Sequence, residues 1–248
     1  MHDIKSICFF PIKGLGGFER DKCVLVADEL IQNDRKFALA EVPISDTTTP
    51  WLPKKHFKQL VNLPSLGKVS IELISDNPLI LRINQINQDF NLSDENDKTS
   101  FTMHIKKLSH FPSNQELCLV QSIKGGLTDT KDQWISIGGT ASANEIIEKY
   151  DLDSSYLRFR LNIWAATSTP FEEFNWIGRT GRIGEARLSF LAPVGRCNAI
   201  NVSAQTGEVS SYILPQAMRT DYGHSNLGVF AHVVKSGKIS TSDRLVID

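Results

Sequence analysis

Short runs of alternating apolar and polar residues recur along the chain, and many begin or end at Pro, Gly, Asn or Asp. Period-two patterns bounded by turn residues predict strands. They fall at residues 4–12, 23–27, 36–44, 69–74, 79–83, 101–108 and 116–122, and again at 157–165, 183–191, 197–202 and 228–234. Asp76-Asn77-Pro78 predicts the reversal between two of these runs, because Asn and Pro favour turns. Residues 45–53 are irregular, with a Thr run and two prolines, and residues 124–130 are rich in turn formers. The polar stretch 84–100 reads as a linker or a long hairpin with a polar tip.

Helical signals are fewer. Ser142-Ala143-Asn144-Glu145 matches a capping box, and Ile146, Ile147 and Tyr150 can share the apolar face behind it. Free N–H groups and the hydroxyls of Thr140 and Ser142 at that helix start form a natural anion site, which Gly138 and Gly139 leave open to close approach. A second helix fits residues 212–218, with Pro215 near its first turn. Neither an internal repeat nor a β-α-β alternation with a Gly-rich phosphate loop is present, which argues against a doubly wound nucleotide-binding fold. The expected class is mainly β with a few helices (α+β), divided into residues 1–98 and 99–248.

Composition narrows the function classes. The 248 residues are 41% hydrophobic and 22% charged, enough to bury a sizeable core. A formal net charge of -1 gives no electrostatic excess for wrapping nucleic acid or coating an anionic membrane. No apolar stretch approaches the roughly 18 residues of a membrane span, and the N-terminus lacks the apolar core of a signal peptide. Cys8, Cys23, Cys118 and Cys197 are scattered with no CxxC pair, so closely spaced zinc or iron–sulfur ligands are absent. A reducing, cytoplasmic setting with free thiols is the expectation.

Four places carry candidate chemistry. Lys13, at the end of a strand-like run and followed by glycines, can reach into a pocket as a point charge for phosphate, or remain a solvated turn lysine. Arg35 can offer its planar fork to an anion, or pair with Asp34. On a strand over 157–165, Arg158, Arg160 and Asn162 would form one polar stripe, suited to a phosphate plus a heterocycle or simply to solvent. Cys197, beside Arg196, is open to three readings: a small buried apolar residue, a nucleophile or a metal ligand. No local signature joins it to a His and an orienting acid.

In sequence order these pieces resemble the MOSC family, named for the C-terminal domain of molybdenum-cofactor sulfurase, with its β-rich N-terminal companion. Phe10-Pro11-Ile12-Lys13 resembles the opening Tyr-Pro-Ile/Val-Lys motif, and Asp34 to Leu39 resembles Asp-Arg-x-Phe/Trp-x-Leu. Thr140-Ala141-Ser142 is similar to the Ser-rich helix start, Arg158 to Ile163 to Arg-Phe-Arg-Pro-Asn-Ile, and Phe171 to Trp176 to Phe-x-Glu-Asp-x-Trp. Arg196-Cys197, the Ser203-Ala204-Gln205-Thr206-Gly207 turn, Leu227 to Ala231 and Gly237-Lys238-Ile239 complete the likeness.

The resemblance implies a β-barrel MOSC domain packed with a smaller β-rich N-terminal domain, and a molybdenum cofactor (Mo-molybdopterin). It implies that Cys197 ligates the metal as the catalytic residue, and that Lys13, Arg35, Arg158, Arg160 and Asn162, with Thr140 and Ser142, hold the pterin and its phosphate. The implied activity is an oxidoreductase acting on N-hydroxylated or N-oxygenated small molecules. The alternative is a non-enzymatic carrier of the cofactor, or of sulfur as a Cys197 persulfide. An association with pyridoxal phosphate belongs to the family level only. The chain departs from the pattern at Leu161 for Pro, Gly195 for a Ser of some members, and Ser242 for Gly. Without a Cys-rich ferredoxin-like extension after Asp248, electrons are expected from a separate donor protein.

Overall fold

The computed structural model describes residues 1–41, 52–203 and 206–248. The end of the 36–44 strand, most of the irregular 45–53 stretch and Ala204-Gln205 lie outside the described residues.

From Ser6 onward β1 (His2–Phe9) is buried on both faces, which is why its sequence is apolar at consecutive positions. The short strands β2 (Ile12–Lys13), β3 (Phe18–Arg20), β4 (Lys22–Leu25) and β5 (Phe37–Ala40) follow. β6 (Ile71–Asp76) and β7 (Leu79–Ile83) form the expected hairpin, and β8 (Gln88–Asn91) adds a third antiparallel strand. The 101–108 run is not a strand but part of helix α1 (Glu95–Leu108). Asp94 caps it by accepting from the backbone N–H groups of Asn96 and Asp97. Phe101 and Ile105, four residues apart, then face one core with Leu81 and Phe90.

Beyond α1, β9 (Cys118–Gln121) pairs with β5, which runs parallel to β2. β10 (Ile135–Gly139), α2 (Thr140–Lys149) and β11 (Ile163–Ala165) form a parallel crossover, the connection that requires an intervening helix. β12 (Thr180–Ile183) turns at Gly184 into β13 (Ala186–Gly195), so the expected 183–191 strand spans the end of one strand and much of the next. Next come α3 (Leu214–Tyr222), with Pro215 in its first turn, then β14 (Asn226–Lys235), β15 (Gly237–Ser240) and β16 (Arg244–Ile247).

Seven strands close into a barrel in the order β11-β10-β14-β13-β12-β16-β1, with β1 returning to pair with β11. Ile7, Ile137, Leu188, Val229 and Leu245 are among the residues filling its interior. A second core, including Trp164, Ile146 and Met218, fixes α2 and α3 to the outside. The expected division at residue 98 falls inside α1, while β1 and β3 from the first segment run in the barrel sheet. No helix among the described residues is long and apolar enough to cross a membrane.

Two expected strands take other forms for local reasons. Residues 156–159 coil as a 3-10 turn and Arg160 adopts a left-handed backbone, φ 54°, which ends any extended run. The stripe of Arg158, Arg160 and Asn162 is therefore broken. Residues 198–201 likewise form a 3-10 turn instead of the 197–202 strand.

Candidate functional site

The Phe10–Lys13 and Asp34–Phe37 segments lie side by side. Phe10 and Pro11 accept backbone hydrogen bonds from Arg35 (2.8 Å) and Phe37 (2.9 Å). Gly14 follows with φ 93° and no room for a side chain, since a Cβ there would stand 2.9 Å from the Gln59 Cα. This close passage turns Lys13 inward. Its Nζ donates to the Leu127 carbonyl (2.9 Å) and to Asp129 Oδ1 (2.5 Å). Burial holds the Lys13 ammonium below its ordinary pKa, an effect that Asp129 only partly offsets. Burial alone would raise the Asp129 pKa, but the charge and hydrogen bond of Lys13 outweigh it and hold this carboxyl below its ordinary value.

Asp34 organises the next cations. Only 2% exposed, it accepts from the Phe10 N–H (2.8 Å), from Asn162 Nδ2 (3.0 Å) and from the Arg35 guanidinium. Arg35 in turn donates to the Arg160 carbonyl (2.7 Å), and Arg160 donates to the Leu15 carbonyl (2.6 Å). Both guanidinium groups sit over the buried Phe10 ring, at 4.7 and 4.5 Å from its centroid. Burial and then the like charge of Arg35 pull the Arg160 pKa down to about 9, which leaves it cationic at neutral pH.

Cys197 follows β13 on a half-buried turn. The loop beyond it is docked backbone on backbone: Gly207, at φ 69°, leaves a Cβ only 2.5 Å from the Gly67 carbonyl carbon. Arg196 donates to the Phe159 carbonyl, and its Nε is buried without a hydrogen-bond partner among the described residues. Burial pulls its pKa down to about 10. Lys13, Arg35, Arg160, Arg196 and Cys197 line one cleft of about 890 Å³, counting its open mouth. Asp34 and Asp129 line it too, so four cations there face two acids.

The other thiols stand elsewhere. Burial pushes Cys8 up to about 12 and Cys23 up to about 11, so neither is a thiolate at neutral pH. Cys118, on β9, is also raised, by desolvation and by its bond to Glu116. Among the described residues no three His, Cys, Asp or Glu side chains cluster to hold a metal ion.

Not every expected ligand reaches the cleft with a free group. Asn162 lines it, but its side chain is spent internally: Oδ1 accepts from the Ser136 N–H and hydroxyl, and Nδ2 donates to Asp34 and the Cys8 carbonyl. It positions Asp34. Arg158 does not line this cleft: it is buried, paired with Asp153 and donating to the Ile200 carbonyl (3.1 Å), and lines a smaller cavity together with Arg160. Thr140 accepts from the Thr167 N–H (3.4 Å) away from the cleft. Ser142 is not a cap, since α2 starts at Thr140. Its hydroxyl accepts from the Phe171 N–H (2.6 Å) and donates to Glu173 Oε2 (2.6 Å).

Glu173 is fully buried and also accepts from the Gly228 N–H (3.1 Å), tying α2, its own turn and β14 together. Glu173→Ala leaves these donors without an acceptor and is expected to lower stability by about 2–4 kcal/mol. A urea transition unmoved by the substitution would remove that role.

Sequence reasoning missed Asp129, Ser136, Trp134 and Phe230, all of which line the cleft. Asp129 lies in a turn-rich stretch with no periodic signal, Trp134 and Ser136 lie just before and on β10, a strand that no sequence run predicts, and Phe230 falls within the 228–234 run as ordinary alternation.

A closed β-barrel with a basic, thiol-bearing cleft at its side is the class these features define. The model of the MOSC domain matches residues 122–246, half of the sequence, and the chain belongs to that family. Among curated proteins, molybdenum cofactor sulfurase of Drosophila mojavensis is 33% identical over 105 residues, 42% of this chain and 13% of that protein. The same-named protein of Drosophila grimshawi is 33% identical over 90 residues, 36% and 11% respectively. The match thus spans about an eighth of these relatives' length. Among solved structures, the YuaD protein of Bacillus subtilis aligns over 99% of this chain and 94% of its own, at 11% identity and TM-score 0.46. YiiM of Geobacillus stearothermophilus aligns over 46% and 53%, at 20% identity and TM-score 0.37.

Proposed function

We propose that this cleft binds a molybdenum cofactor and that the protein reduces N-hydroxylated or N-oxygenated small molecules. The observation that carries the reading is the convergence of Lys13, Arg35, Arg160 and Arg196 on the cleft that holds Cys197. The residues fit an anionic chelate: Arg196 keeps a buried N–H without an acceptor, and one soft thiol suits a metal that arrives with ligands of its own. Lys13, Arg35 and Arg160 bind the phosphate and pterin. Asp34 and Asn162 orient Arg35, and Cys197 ligates the metal. When bound, the cofactor supplies the two-electron redox chemistry that no side chain can. Thr140, Ser142 and Arg158 support the frame around the site. The reading takes electrons from a separate donor protein in a cytoplasmic, reducing setting.

The name of the Drosophila relatives favours a second reading, a carrier of the cofactor or of persulfide sulfur on Cys197. Protein made in a cofactor-competent host is expected to hold molybdenum and pterin in equal amounts, and protein from a cofactor-deficient host neither. Equal metal content from both hosts would overturn cofactor binding. Repeated substrate-dependent reoxidation supports the enzyme, whereas a single stoichiometric transfer without turnover supports the carrier.

A further inference from the structure

The two acids of the cleft are held very differently. The Asp34 side chain is 0% exposed and accepts from three donors, so it is a fixed part of the frame. The Asp129 side chain is 48% exposed, and among the described residues it makes one hydrogen bond, to Lys13. Lys13 is the buried member of that pair, its side chain 7% exposed. A buried ammonium needs a counter-charge, and here a carboxylate supplies it from the solvent side.

The loop that carries Asp129 is held without the help of that pair. The Gly126 N–H donates to Gln133 Oε1 and the Leu127 N–H to the Arg35 carbonyl, both at 2.8 Å. Gly126 passes so close to Asp34 that a Cβ would stand 2.6 Å from the Asp34 carbonyl oxygen. Beyond Leu127, the Thr128 hydroxyl donates to the Thr130 carbonyl across Asp129 (2.7 Å). The carboxylate can therefore leave Lys13 by rotating about its own side-chain bonds while the backbone on either side stays in place. The charge of Lys54, on the exposed turn 54–56, also reaches Asp129 and gives the displaced carboxylate a cation to face. Lys13 keeps its bond to the Leu127 carbonyl and turns a free N–H toward the cleft.

We infer that Asp129 is a built-in competitor for an oxyanion of the ligand: it occupies that group's place on Lys13 in the free protein, swings out when the ligand arrives, and returns to hasten its release. Naming that ligand as the cofactor rests on the function proposed above, whereas the exchange on Lys13 does not. Asp129 sets how tightly the cleft holds its ligand and takes no part in bond making.

Calorimetric titration of the full chain, made in a cofactor-deficient host, with inorganic phosphate tests the exchange. Asp129→Asn keeps an oxygen for Lys13 but removes the competing charge, and is expected to bind phosphate about tenfold more tightly than the parent. Asp129→Ser, smaller and equally uncharged, is the second probe and is expected to tighten binding in the same sense. Asp129→Glu keeps the charge and is expected to stay near the parent. In a Lys13→Met background the gain from Asp129→Asn is expected to vanish, because the contested donor is gone. Equal phosphate affinity in the parent, Asp129→Asn and Asp129→Ser overturns the inference. A gain of the same size without Lys13 overturns it too, since Asp129 would then act as a charge on the cleft as a whole.

Protein from a cofactor-competent host separates this exchange from the function proposed above. Molybdenum and pterin are expected to leave Asp129→Asn about tenfold more slowly than the parent on dialysis, the same gain read as a rate. If the parent holds neither, the cofactor reading falls and the phosphate cycle still decides the exchange. An unchanged rate of loss beside tighter phosphate would overturn the role of Asp129 toward the cofactor.

Discussion

For the proposed reductase, Cys197→Ser is expected to yield a folded protein whose turnover falls by about 100-fold or more, since even residues that only orient a metal's ligands cost 10–100-fold. The fold should survive because the site asks little of the side chain structurally. Cys197 is half-buried, its backbone is extended (φ -109°, ψ 174°), and its carbonyl accepts from the Ile200 N–H. Serine meets all of these demands and is a favourable residue ahead of a helical turn. What it lacks is the soft sulfur, and a hydroxyl is a poor exchange for a thiolate at a soft metal centre. The four cations are untouched, so pterin content should stay near that of the parent while activity is lost. Undiminished turnover would remove Cys197 from the reaction, and a collapsed thermal transition would make its role structural.

Asp34→Ala is expected to cost about 3–5 kcal/mol of stability, the usual penalty for removing one member of a buried ion pair. Three donors converge on this carboxylate: the Phe10 N–H, Asn162 Nδ2 and the Arg35 guanidinium. Deleting it leaves a largely buried guanidinium uncompensated and two N–H groups without an acceptor. The damage then reaches the cleft, because Arg35 holds the carbonyl of Arg160. Urea denaturation measures the loss directly, and a change below about 1 kcal/mol would show that water replaces the carboxylate.

The residues that line the cleft are easier to read in the sequence than the elements that bring them together. Lys13, Arg35, Arg160, Asn162 and Cys197 were legible because charged or thiol side chains beside apolar runs stand out, and they do gather on one cleft. The way they gather was not legible. Arg35 and Arg160 both occupy left-handed backbone, φ 51° and 54°, at non-glycine positions that no propensity marks. Reading 157–165 as a strand therefore put Arg158 beside Arg160, when the chain turns between them. Residues 101–108 were misjudged because the cap at Asp94 sits in a polar stretch that resembles a linker. Ser142 showed a capping pattern, yet Glu173, thirty-one residues on, claims its hydroxyl. Such long-range partners leave no local trace.

The closure of the barrel bears on the order in which this protein can fold. β1 pairs locally with β3 through Ile7 to Phe9, but its barrel partners β11, through Ile4 to Ile7, and β16, through His2 and Asp3, are more than 150 and more than 240 residues away. During synthesis β1 meets this neighbour only when Arg244–Ile247 has emerged as well. Until then the barrel stays open at this seam and its apolar interior is exposed to other chains. Folding dominated by such distant pairings is slow. The interval between the emergence of β1 and that of β16 is thus a period in which this barrel is exposed to aggregation, and a substitution that weakens β16 would lengthen it without touching the cleft.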